Sequence, residues 1–132
     1  MVNAPWRTRV SLDPDREYWA VATSLHVRGI HRLGKFFRYT RRIGEQLERQ
    51  QGFVGFALRT NIPRMRFWTF TVWEDGPSAR AFVNEGAHAE AIRELRPALK
   101  KFGMTRWRAA GSSLPPPWTI ILKRLDDAGQ NV

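Results

Sequence analysis

A chain of 132 residues that is 42% hydrophobic is long enough to close one core without metals or crosslinks and short for two ordinary domains. It contains no cysteine, which excludes a disulfide framework, a thiolate metal centre and a cysteine nucleophile and suits a reducing, cytoplasmic setting. Its formal charge of +10, from 22 Lys and Arg against 12 Asp and Glu, invites a polyanionic partner, yet the basic residues are scattered and form no nucleic-acid-reading motif, so nucleic acid is not the expected partner.

In chain order, residues 1–17 read as an N-terminal arm. Tyr18 to Val27 is rich in aromatic and β-branched residues and alternates, which predicts a first strand. From Leu33 to Gln50 the apolar residues Leu33, Phe36, Phe37, Ile43 and Leu47 recur at helical spacing among charged ones, and Gly52 stops that helix. Phe53 to Arg59 follows as a second strand, residues 60–63 as a turn, and Arg66 to Trp73 as a third strand. Pro77 suits the first turn of a second helix, which Gly86 interrupts. Helical periodicity resumes at His88, Ala91, Ile92, Leu95 and Leu99, with Lys100 and Lys101 at its C-terminal end, and Met104 to Ala110 reads as a fourth strand.

The order β-α-β-β-α-β is the ferredoxin-like α+β arrangement, here assigned to residues 18–110. Two helices cover one face of its antiparallel sheet, so the other face needs a cover, and the aromatic residues on it point to a second copy and a homodimer. Residues 111–132 form a separate tail. Its Pro115-Pro116-Pro117 run favours a stiff spacer, and Trp118, Ile121, Leu122 and Leu125 at i, i+3, i+4 and i+7 predict a short amphipathic helix that docks on the body or on a partner subunit. No apolar run approaches the roughly 20 residues of a membrane span, and Met1 to Arg9 lacks a signal-peptide core.

The third strand carries the most chemistry. Trp68, Phe70 and Val72 make one wholly apolar face, whereas Phe67, Thr69, Thr71 and Trp73 mix rings with hydroxyls, which suits a small-molecule pocket better than a packed core. On the first strand, Ser24 and His26 share a face with Ala20 and Ala22, whose small side chains leave space; we expect them to line the same cavity. His88 follows Gly86 at a helix start, where the dipole keeps an imidazole neutral and able to take a proton or bind a metal. The alternatives are a helix-starting His88 and a hydrogen-bonded structural His26. No HxH, HxxxH or His-carboxylate spacing supports a metal site, Ser24 lacks a nucleophile-elbow context, and phosphate-cradling glycine loops are absent.

The strand Phe67-Trp68-Thr69-Phe70-Thr71-Val72-Trp73-Glu74, then Ala79, Phe82 and the helix start Gly86-Ala87-His88-Ala89-Glu90-Ala91, resembles the dimeric α/β-barrel superfamily, in particular its antibiotic-biosynthesis-monooxygenase-like and spheroidene-monooxygenase-like proteins. The resemblance covers most of residues 18 to 110. It implies a homodimer in which two sheets form a barrel, with a pocket in each protomer between sheet and helices. It also implies a monooxygenase-like function, cofactor-free or haem-dependent, on an apolar aromatic or polyene-like molecule, with His88 or His26 handling a proton. In the superfamily's haem-degrading members the iron-ligating histidine aligns near Ile92, which cannot ligate iron, whereas the spheroidene-monooxygenase-like proteins resemble this chain at His88. The cofactor is thus left unknown, with haem one option. The other function class is a non-catalytic dimeric scaffold that binds a small molecule or haem.

Overall fold

The computed structural model describes residues 4–132. Its elements are β1 (Ala4–Thr8), β2 (Glu17–Val27), α1 (Leu33–Arg49), β3 (Phe53–Asn61), β4 (Arg66–Trp73), α2 (Gly76–Asn84), α3 (Gly86–Leu95), β5 (Leu99–Ala110) and α4 (Trp118–Asp127). The strands make one sheet in the order β1-β3-β4-β2-β5, with every neighbouring pair antiparallel. Without β1, the edge strand supplied by the arm, this is the ferredoxin-like order, and the fold is α+β.

Local chemistry accounts for most of the boundaries. The α1 helix buries Phe36, Tyr39 and Leu47 and turns Arg38, Arg41 and Glu45 outward, Arg41 and Glu45 lying 3.6 Å apart one turn along. Asp75 caps α2 by accepting the Ser78 N–H at 2.8 Å, with Pro77 in the first turn. Two boundaries depart from expectation. The β3 strand runs on to Asn61, so the turn falls at residues 62–65. The periodic run from His88 is helical only to Leu95; a short 3-10 turn over Arg96–Ala98 contains Pro97, whose ring removes a helix donor, and pairing with β2 then draws Leu99, Lys100 and Lys101 into β5.

The two faces of the sheet are covered differently. Toward α1, α2 and α3 point Trp19, Val21, Thr23 and Leu25 of β2, in register with Trp73, Thr71, Thr69 and Phe67 of β4. The opposite face carries Tyr18, Ala20, Ala22, Trp68, Phe70 and Val72, and α4 lies on it with Ile121 and Leu125 buried to 2% and 0% exposure. The cover expected from a second copy is therefore supplied by the chain's own tail. Ala20 and Ala22 leave a trough that Ile121 and Leu125 help to fill, and Trp6 of β1 packs beside them against Phe70, ring centroids 5.9 Å apart.

Beyond α4 the chain is tied to the sheet by polar contacts. Gln130 accepts the Met104 N–H at 3.2 Å; Asn131 accepts from Arg66 at 2.8 Å and from the Trp68 indole at 3.0 Å; the Val132 carbonyl accepts from Arg66 at 3.0 Å and from Ser24 at 3.2 Å. Gly103 permits this approach, because a Cβ there would run into the Gln130 carbonyl.

Candidate functional site

The helix face is not one continuous core. Val27, Phe36, Tyr39, Phe67, Ala91 and Leu95 form an apolar cluster at one end, and Leu47, Phe53, Trp73, Ala79 and Phe82 form another. On the strands between them stand Thr23, Thr69 and Thr71, all partly exposed. Thr23 faces Thr69 across the β2–β4 ladder and their hydroxyls hydrogen-bond each other; the Trp73 indole N–H donates to Thr71 Oγ1 at 3.0 Å. Farther out, β5 leaves Phe102 54% exposed on the same side, and α3 leaves Ile92 37% exposed. A hydroxyl-bearing band with apolar ends is thus left incompletely covered at the β2–β5 side.

His88 stands behind this band, not at its mouth. Its ring packs edge-on against Phe82 at 4.8 Å, and Phe82 in turn lies 5.0 Å from Trp73. Burial holds the imidazole below its ordinary pKa, opposed by the Val83 carbonyl and its own, so the ring is neutral at pH 7. Its Nδ1 is sealed from solvent and has no hydrogen-bond partner. The residue that positions it is Gln46, which sequence reasoning missed. The Gln46 side-chain amide donates to the Phe82 and Glu85 carbonyls at 3.2 and 2.9 Å and its oxygen accepts the His88 N–H at 2.8 Å, closing the break between α2 and α3 where Gly86 adopts φ +54°. Nothing in the sequence marked Gln46 beyond a polar residue on the inner side of a helix. A second tie, between α1 and α3, runs from Arg42 and Tyr39 to Glu90, at 2.7 and 3.2 Å, and the Arg42 hydrogen bond lowers the Glu90 pKa.

Phe67, Thr69, Thr71 and Trp73 therefore share one face with Thr23, and His88 approaches that face through Phe82. Ser24 and His26 do not join them. In an antiparallel ladder directly opposed residues lie on one face, and Ser24 opposes Trp68 and His26 opposes Arg66. Ser24 is buried under the tail, bonded to Val132. His26 lies at the end of that face, its pKa lowered by burial and then by Lys100, Arg66 and Lys101. The space expected above the small residues of β2 exists, but the tail fills it and it lies across the sheet from the hydroxyls.

Among the described residues no three histidine, aspartate or glutamate side chains converge as a metal site. The helix face does not fit haem either, because Ile92 offers no ligand and the buried His88 Nδ1 has no open approach. Among the described residues no helix is long and apolar enough to cross a membrane. Two surface clefts lie apart from the band. One of about 420 Å³ lies where β2 begins and α2 starts, lined by Trp19, Glu74, Gly76, Arg80 and Arg108 among others. The other, of about 320 Å³, lies beside Gln46 and Gly86.

No protein-family model matches the chain, and no curated protein does. Solved structures do resemble it. A conserved protein from Methanosarcina mazei Go1 aligns with a TM-score of 0.61 at 13% identity, over 68% of this chain and 90% of that one. A point mutant of SnoaB, a cofactor-independent oxygenase from Streptomyces nogalater, aligns at 0.60 and 20% identity, over 74% and 97%. A proposed antibiotic biosynthesis monooxygenase from Nitrosomonas europaea aligns at 0.61 and 14% identity, over 67% and 95%. The sheet order, α1, α2 and α3 on one face and these alignments together give the chain the ferredoxin-like α+β fold seen in these monooxygenase-like structures.

Proposed function

We propose that the protein is monooxygenase-like and binds an apolar aromatic or polyene-like molecule between its sheet and its helices. The observation that carries this reading is the partly exposed band of Thr23, Thr69 and Thr71 beside Trp73, flanked at both ends by apolar clusters. A packed core has no use for three hydroxyls in one row, whereas a ligand site needs a few polar groups on an apolar surround. In a cofactor-independent oxygenation the protein has to position the substrate, exclude water and take a proton, so that the resulting anion passes an electron to dioxygen. Here the threonine hydroxyls would orient a substrate oxygen, the exposed Phe102 ring and the partly exposed Leu25 would meet its apolar body above the buried Phe67 and Trp73, and neutral His88 would take the proton once the Phe82 ring in front of it turns aside.

A non-catalytic scaffold is the second reading, and one observation favours it: Thr23 with Thr69, and Trp73 with Thr71, already satisfy one another without a ligand. In either case we propose a homodimer. With α4 on the second face, the partner would meet the outer side of the tail layer, where Ile120 is 45% exposed.

Titration of the purified protein with apolar aromatic compounds, followed by tryptophan fluorescence and by dissolved-oxygen consumption, tests the reading. Binding that His88→Ala spares, together with oxygen uptake that it abolishes, supports the enzyme. Binding with no oxygen uptake in the wild type leaves the scaffold, and no binding by any compound removes both. Haemin added to the same protein should give no Soret shift.

A further inference from the structure

The cleft at the start of β2 carries an arrangement that the hydroxyl band does not explain. Trp19 stands there partly exposed, with Trp73 directly across on β4 and Arg108 directly across on β5, so the three form one rung of the helix face. From α2, Arg80 reaches over Gly76: the position a Gly76 side chain would occupy is bounded by Arg80 Nη1 at 3.4 Å and the Trp19 ring at 3.7 Å. An indole is thus flanked by guanidinium-bearing side chains from two elements. Among the described residues neither Arg80 nor Arg108 lies within ion-pair distance of a carboxylate, although Arg80 is near enough to Asp75 to help lower its pKa. The carboxylates of the cleft, Glu17, Glu74 and Asp75, are exposed, and Asp75 is engaged in capping α2.

We propose that this cleft reads a carboxylate carried on the molecule whose apolar body lies along the hydroxyl band. The proposal rests on the small-molecule reading above and names the substrate class. Guanidinium groups pair with planar oxyanions through paired N–H donors, and Trp19 offers a face for the ring that bears the anion. From Trp19 to Thr23 is four residues of β2, about 13 Å at the strand rise, a length suited to an extended aromatic molecule. Val21, partly exposed, bridges the two ends.

Isothermal titration with 2-naphthoate and with its neutral methyl ester decides the matter. The naphthoate should bind about tenfold more tightly to the wild type. The double variant Arg80→Gln/Arg108→Gln should bring naphthoate down to the ester's affinity while leaving ester binding unchanged, and Arg64→Gln, an exposed cation in the β3–β4 turn, should change neither. Unchanged thermal melting of the double variant verifies its fold. Equal binding of the two probes to the wild type, or a naphthoate preference that survives the double substitution, overturns the anion proposal and leaves the small-molecule reading standing. Failure of both probes to bind at millimolar concentration removes the proposal together with the reading beneath it.

Discussion

The two faces of the sheet are built from the same strands and finished in opposite ways. On the tail face every large apolar side chain of β4 is sealed: Trp68, Phe70 and Val72 are 6%, 0% and 0% exposed under α4, and the polar groups at its far end are matched by Gln130, Asn131 and Val132. On the helix face two buried apolar clusters meet only through the partly buried Ile43 of α1, and on the strands between them Thr23, Thr69 and Thr71 stay partly exposed. A face that buries everything is made for stability. A face that interrupts its core with hydroxyls gives up some burial, and a bound molecule would restore it. The difference teaches that the aromatic content of β4 serves two ends, sorted by the parity of the residue number.

The largest effect that can break this comparison is removal of the tail. Deleting residues 114–132 uncovers Trp68 and Phe70 and loses the burial of Ile121 and Leu125, so stability should fall by roughly 3–6 kcal/mol, or the exposed face should pair with a second copy. Thermal melting and sedimentation at several concentrations distinguish these results. An unchanged melt with an unchanged mass would mean that the tail is not the cover. A milder version is Gly103→Ala, which forces the Gln130 carbonyl away without shortening the chain; the expected loss is about 1–3 kcal/mol by chemical denaturation, and hydrogen exchange should speed up in residues 118–132 before β4 is affected.

On the helix face, His88 sets a pH dependence. Its folded-state pKa is lowered by burial, so the folded protein binds fewer protons than the unfolded chain below the ordinary value of 6.5. Its contribution to stability is present above about pH 6.5 and is lost as pH falls toward and through the folded pKa. Wild-type melting temperature should therefore decline below that point, and His88→Phe should remove the part of the decline due to His88. Parallel curves for the two proteins would show that His88 does not carry it.

The smallest effect on stability, and the sharpest on the comparison, should come from Thr69→Val. It keeps the shape of a partly exposed side chain and removes the hydroxyl that meets Thr23, so stability should change by less than about 1 kcal/mol. Binding of an aromatic ligand with a polar oxygen should weaken several-fold. A ligand response identical to wild type would return the hydroxyl band to the status of sheet packing.

The sequence by itself determined the α+β class, most of the helix and strand positions, and the two-sided character of β4, because side-chain period and turn residues are local properties. It also determined that Trp118, Ile121, Leu122 and Leu125 belong to one helix face. Three things were settled only in three dimensions. The pairing of Thr23 with Thr69, which separates Ser24 and His26 from the hydroxyl band, is a matter of register between residues 46 positions apart in the chain. The placing of His88 depends on Gln46, a partner 42 residues away whose hydrogen bonds no local pattern announces. The choice of cover for the second face turned on the path of the tail: its amphipathic pattern shows that one side must be buried, and only the folded chain shows what buries it.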